Sequence, residues 1–191
     1  MKNNILLLLL LCAGTLFAQE QEPVELQTPS ENKSLVYFAR RSAVGPLIKF
    51  RIYDGDTYLG KLSANRYITY ECDPGLHVFV AKSENSSFVE AELEAGKVYV
   101  LDVVGKMGIA YARVDMVPLE KSNKRYEKEK VRFIKFVGKK KGELLSSGID
   151  RDSEDAEADH PQDGKNMTRY NEMKGKGKKI KALTADMYFE Q

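Results

Sequence analysis

Between Ser34 and Pro118 the chain is a succession of short runs rich in Val, Ile, Tyr and Phe, each closed by turn-forming residues. The runs are SLVYFARR, LIKFRIY, TYLGKL, RYITYEC, LHVFVAK, SFVEAELE, KVYVLDVV and AYARVDMV, and the separators include Gly-Pro, Asp-Gly, Pro-Gly and Ala-Gly-Lys. Such residues pack well on a pleated surface, whereas Gly, Pro and Asp supply the backbone angles of turns. The spacing leaves no room for crossover helices, which excludes a βαβ arrangement. It predicts an all-β fold, an antiparallel β-sandwich of about 7–8 short strands, occupying residues 34–118.

Two hairpins are expected within that body. In IYDGDTYLGKL the pair Asp54-Gly55 reads as a turn, with Asp54 a turn former rather than a catalytic carboxylate. In ITYECDPGLHVFVA, Pro74 presets the first central position of a type II turn and Gly75 accepts the second. A two-residue loop there sets Cys72 opposite His77 and Asp73 opposite Leu76. Ile68, Tyr70 and Cys72 then share an inward face with His77, Phe79 and Ala81.

The termini have a different character. MKNNILLLLLLCAGTLFAQEQ has one Lys, an apolar run from Ile5 to Phe17 and a small residue at Ala18. It reads as a secretory signal peptide over 1–18, since the run is too short for a stable span and no later segment is long and apolar enough for one. Lipidation of Cys12 is disfavoured because Leu11, not a small residue, precedes it. With Cys12 removed, Cys72 is the remaining cysteine, so no internal disulfide can form and stability must come from a packed core. Residues 19–33 are polar with two prolines and read as a disordered spacer.

The formal net charge is only +2, but it is unevenly spread. Residues 19–120 carry 11 basic and 15 acidic side chains, whereas residues from 121 onward carry 18 basic and 13 acidic. Residues 119–146 read as a basic, helical extension around Val131, Phe133, Ile134, Phe136 and Val137, with a strand over VRFIKFV as the alternative. Residues 147–164 are an acidic linker expected to be disordered. Residues 165–191 form a basic segment in which Met167, Tyr170 and Met173 suggest a short helix.

Few residues offer chemistry. Cys72 and His77 could meet across a ladder, but a thiol nucleophile needs a lowered pKa, an oriented base and an oxyanion site, and a hairpin tip with apolar neighbours supplies none. Asp150, Asp152 and Glu154 match the start of a calcium loop, yet Asp155 stands where Gly is required and Pro161 where the bidentate Glu belongs. His160 is the second of two histidines and lies in that acidic linker. The Lys-rich run around Lys176, Lys178 and Lys179 could attract anionic polymers, and Tyr53, Tyr58, Tyr67, Tyr70 and Tyr99 could stack on sugars if exposed. No phosphate loop, Ser-His-Asp order or zinc spacing occurs, and no cofactor is expected.

The order VYFARR, KFRIYDGDTYLGKL, RYITYECDPGLHVFVA and ELEAGKVYVLDV resembles the bacterial domain-of-unknown-function family 2846 and, more distantly, the PEGA-like surface domains. The motifs that carry it are Tyr37, Phe38 and Arg40 in the opening strand; the Asp-Gly hairpin followed by Gly60; Pro74, Gly75 and His77; and Ala95, Gly96, Lys97 and Tyr99. The resemblance spans residues 34–117. It implies a β-sandwich-like domain in exported or lipid-anchored envelope proteins with no established activity, and it implies nothing for the charged tail.

The expected function is therefore an exported, non-enzymatic β-sandwich module of the bacterial cell envelope. It would be periplasmic, outer-membrane associated or secreted, and act as a binding or structural adaptor for an envelope protein or surface polymer. Nucleic acid is not an expected partner of an exported chain. The alternatives are a thiol enzyme or redox protein using Cys72 and His77, and a binder of anionic polymer or carbohydrate. The candidate contact residues are Tyr70, Cys72, His77, Lys176, Lys178 and Lys179.

Overall fold

The strand ARVDMVP alternates as a half-buried strand must: in β8 (Ala112–Pro118) Ala112, Val114, Met116 and Pro118 are buried, while Arg113 and Val117 are exposed. β1 (Ser34–Arg40) is instead buried at every position, which requires cover on both of its faces. Both patterns are seen in a computed structural model that describes residues 25–109, 112–140, 142–146 and 165–190.

The remaining strands are β2 (Phe50–Asp54), β3 (Thr57–Leu62), β4 (Arg66–Cys72), β5 (Gly75–Lys82), β6 (Ser86–Leu93), β7 (Val98–Met107), β9 (Gly142–Ser146) and β10 (Lys181–Leu183). They form two five-stranded sheets. Sheet A has the order β8-β7-β1-β4-β9 and sheet B the order β10-β6-β5-β2-β3. The fold is mostly β and sandwich-like, with apolar side chains of both sheets meeting between them. Val36, Phe38, Ile68, Leu101 and Met116 from sheet A face Phe50, Ile52, Leu62, Phe79 and Val89 from sheet B. Phe38 and Phe79 cross edge to face at 5.2 Å, a favoured aromatic geometry.

Two helices cover the outer faces. α1 (Tyr126–Lys139) buries Phe133 and Val137 against Leu35, Tyr37, Ala39, Val98 and Val100 of sheet A. This second layer explains the unbroken burial of β1. Arg41 ties α1 to the sheet by bridging Asp102 at 2.9 Å and Glu129 at 3.0 Å. α2 (Asn166–Gly175) lays Met167, Tyr170 and Met173 on Tyr53, Val80 and Phe88 of sheet B.

One edge of the sandwich is sewn shut by side chains. Asn85 donates to the Val114 carbonyl at 2.8 Å and accepts from the Val114 amide at 2.7 Å, as a backbone partner would. Ser83 donates to the Ala112 carbonyl and Ser87 accepts from the Met116 amide at 3.0 Å. Every second residue of one segment thus satisfies every second residue of β8, an edge that would otherwise offer unpaired groups.

Several expectations are revised. The link through Asp73 and Pro74 is not a hairpin: β4 belongs to sheet A and β5 to sheet B. Cys72 pairs with Ser34 of β1 and His77 with Ala91 of β6, so the two residues do not oppose each other. The strands are not all antiparallel, because β1 runs parallel to β7, β4 to β9 and β6 to β10. The body does not close at residue 118, since β9 and β10 extend the sheets and Leu183 enters the core. β9 can approach β4 because position 142 is glycine; a Cβ there would lie 1.9 Å from the Tyr67 ring.

Of the proposed spacer, residues 25–33 lie on the protein: Leu26 is buried and the Gln27 amide donates to the Tyr37 hydroxyl at 3.0 Å. Residues 1–24, which hold the proposed signal peptide and Cys12, and residues 147–164, which hold the acidic linker and His160, lie outside the described residues.

Candidate functional site

Asp54 is the last residue of β2 and pairs with Thr57, so the two-residue loop of this hairpin is Gly55-Asp56. Its carboxylate turns towards the crossing between β4 and β5. Oδ2 accepts from His77 Nδ1 at 2.7 Å and from the Tyr70 hydroxyl at 3.2 Å. His77 Nε2 lies 2.9 Å from the carbonyl oxygen of Asp73, and the imidazole stacks on Phe79 with an interplanar angle of 11°. The carboxylate that looked like part of a turn therefore organises the cluster.

Both ring nitrogens of His77 face acceptors, so the imidazolium, which donates from both, fits the site. The Asp54 hydrogen bond is the main cause that raises the His77 pKa above its ordinary value, against the opposing effect of burial. With both nitrogens engaged, the ring has no lone pair available to accept a proton from a substrate. Cys72 is buried, and its thiol is pushed up to about 12, first by burial and then by the charges of Asp54 and Asp73. A thiol held in that form is a small hydrophobe rather than a nucleophile. Tyr70 is also buried, and burial together with Asp54 raises its phenol pKa.

None of the five tyrosines proposed to stack on sugars is fully exposed. Tyr53, Tyr70 and Tyr99 are buried, and Tyr58 and Tyr67 are half-buried beside Tyr53 and Tyr37. The Tyr99 hydroxyl is engaged internally, accepting from the Glu94 amide at 3.0 Å and donating to the Ala185 carbonyl at 3.1 Å.

The concave surface lies on the other side of sheet B. α2 is capped from a distance: Asp56 Oδ1 accepts the amides of Asn166 at 2.8 Å and Met167 at 3.2 Å, while the residue preceding the helix supplies no side-chain cap. At the other end, Glu90 receives the Tyr170 hydroxyl at 2.6 Å and Lys174 Nζ at 2.9 Å. Between the anchored helix and sheet B runs a groove of about 540 Å³, lined by Lys82, Ser86, Lys165, Asn166, Thr168, Arg169, Glu172, Met173, Lys176 and Lys178. Five of these are cations and one is an acid. Lys82 is 6% exposed, with its ammonium 5.3 Å from the centre of the Tyr53 ring.

The Lys-rich run thus divides by role. Lys174 binds Glu90 and Lys181 binds Asp115 at 2.5 Å, Lys176 and Lys178 line the groove, and Lys179 lines a neighbouring groove of about 470 Å³ with Arg113 and Lys106. Lys82, Lys165 and Arg169 were not singled out in the sequence. Lys82 lies with Val78 and Val80 on the face of β5 opposite to Phe79 and Ala81, and the legible signal was that two valines on this outer face call for a covering layer.

Among the described residues no group of three or more His, Cys, Asp or Glu side chains is placed to hold a metal ion. No described helix is long and apolar enough to cross a membrane. Comparison of the chain with family models, curated proteins and solved structures finds no match.

Proposed function

We propose that the chain is an exported, non-enzymatic β-sandwich module of the bacterial cell envelope, acting as an adaptor for an anionic ligand seated in the groove between α2 and sheet B. The observation that carries this reading is the convergence of Lys82, Lys165, Arg169, Lys176 and Lys178 on one concave surface with Glu172 as the opposing acid. Such a surface attracts anions over several ångströms and is weakened by salt. The character of residues 1–18 supports an envelope location. The competing thiol-enzyme reading is disfavoured by the burial of Cys72 and the engagement of both His77 nitrogens.

Binding of fluorescently labelled polyphosphate, titrated at several salt concentrations, tests the proposal. Charge reversal at Arg169, Lys176 and Lys178 should weaken binding about tenfold or more and flatten its salt dependence, since the electrostatic attraction is screened. Reversal of the distant Lys124 should leave binding unchanged. Equal affinity of the triple variant and the parent would end the proposal. Substitution is the right perturbation here, because deleting residues from 165 onward would also remove β10 and Leu183 from the fold.

A further inference from the structure

At the end of the sandwich away from His77, three large apolar side chains stand almost wholly in solvent: Leu47 is 95% exposed, Met107 88% and Ile109 99%, with Val44 at 38% beside them. Isolated exposed apolar residues are ordinary, but a group of them on adjoining loops marks an interaction surface. The loops adjoin because Gly45 in the β1–β2 connection packs on β8: its φ is +62°, and a Cβ there would lie 2.8 Å from Ala112 Cβ. Ala112 pairs with Met107 across the β7–β8 hairpin. On the same hairpin, the Cβ position of Gly105 lies 3.0 Å from the Val44 carbonyl oxygen.

The loops are also held in place. Arg40 has no exposed surface, and its guanidinium donates to the carbonyls of Val44 at 2.7 Å, Gly45 at 2.8 Å, Leu62 at 3.2 Å and also Ile48, while lying 3.7 Å above the Phe50 ring. Burying a charge in this way is costly, and its visible effect is to fix the backbone that carries Val44 and Leu47. Glu84 accepts the Ile109 amide at 3.2 Å and so restrains the second loop. Cations flank the tip on two sides. Lys49, Arg51 and Lys61 line a depression of about 430 Å³ beside Ile48 in which Glu84 is the acid, and Arg113 lies in the groove that contains Met107.

We infer that this end of the sandwich docks on a bilayer that contains anionic lipid, with Leu47, Met107 and Ile109 entering the interface and the surrounding cations meeting the headgroups. Charge complementarity selects the occupant: apolar prongs flanked by Lys and Arg match a surface that is apolar within and negative at its boundary. The depression beside the tip shares Lys82 with the groove under α2, but Leu47, Met107 and Ile109 line neither, so variants at the apolar prongs test the tip separately.

Sedimentation with vesicles of phosphatidylethanolamine and phosphatidylglycerol is the test, with vesicles of phosphatidylcholine alone as the comparison. The parent should bind the anionic vesicles and should bind the neutral ones more weakly. The double variant Leu47→Ser, Ile109→Ser should lose about tenfold or more in partitioning, because exposed apolar area is what enters the interface. Both positions are solvent-exposed, so the variant keeps the fold, and its polyphosphate binding should be unchanged. The chain has no Trp, so Leu47→Trp provides a single reporter whose emission should shift to the blue on adding anionic vesicles. Retained vesicle binding in the double variant, an unshifted Trp, or equal binding to neutral vesicles would overturn the inference. So would concentration-dependent self-association through Leu47 and Ile109 without vesicle binding.

Discussion

Replacing Asp54 by Asn removes the charge that His77 faces while keeping the shape of the side chain. The Nδ1 to Oδ2 distance is 2.7 Å, and the two side chains are only 15% and 16% exposed. Solvent therefore screens the pair less than a surface ion pair. A hydrogen bond to a charged partner contributes about 1.5–3 kcal/mol, and the Asn oxygen still accepts from Tyr70 and from the ring, so the net loss should be about 1–2 kcal/mol. The pH dependence follows from the raised His77 pKa. The stabilisation is fully present below the unfolded imidazole value of about 6.5 and is lost as pH rises through the higher folded value. Urea denaturation of the parent and Asp54→Asn should therefore differ most below the ordinary imidazole value of about 6.5 and converge as pH rises past the raised His77 value. An NMR titration of the His77 ring should show a midpoint above the ordinary value in the parent. In Asp54→Asn that midpoint should fall, because burial then opposes the charge. A stability gap that stays constant with pH, or a His77 midpoint unmoved by the substitution, would refute the reasoning.

Two further outcomes are expected. Cys72, with its thiol pushed up to about 12, should react with iodoacetamide in the native protein about a hundredfold or more slower than in urea at pH 8; rapid native alkylation with a midpoint near neutrality would revive the thiol-enzyme reading. Asp56→Ala should cost about 1 kcal/mol through loss of the cap on α2 and speed proteolysis within Asn166–Gly175, both measurable by urea titration and limited trypsinolysis; unchanged cleavage would show that α2 is held by its apolar face alone.

The residues that declared themselves in the sequence did so through local chemistry. Asp-Gly marked the β2–β3 hairpin, which closes through Gly55-Asp56. The alternation of ARVDMVP marked β8, and the apolar cluster around Phe133 marked α1. The Pro-Gly of residues 74–75 marked a change of direction, but a turn does not say whether the next strand joins the same sheet or crosses to the opposite one. That choice moved His77 away from Cys72 and brought it to Asp54.

What the sequence determined by itself was the β-rich, turn-punctuated character of residues 34–118, because strand and turn preferences depend on neighbouring residues. The tertiary structure decided everything that depends on distant partners. β9 and β10 are short and pair in parallel with strands far away in the chain, so local preference does not reveal them. The Asp54–His77–Tyr70 cluster joins the ends of three strands, and the groove joins Lys82 to Arg169 and Lys176. A cation next to another cation is unfavourable in isolation, and only the packing of α2 on sheet B, fixed by apolar burial and the Asp56 cap, makes them share one surface.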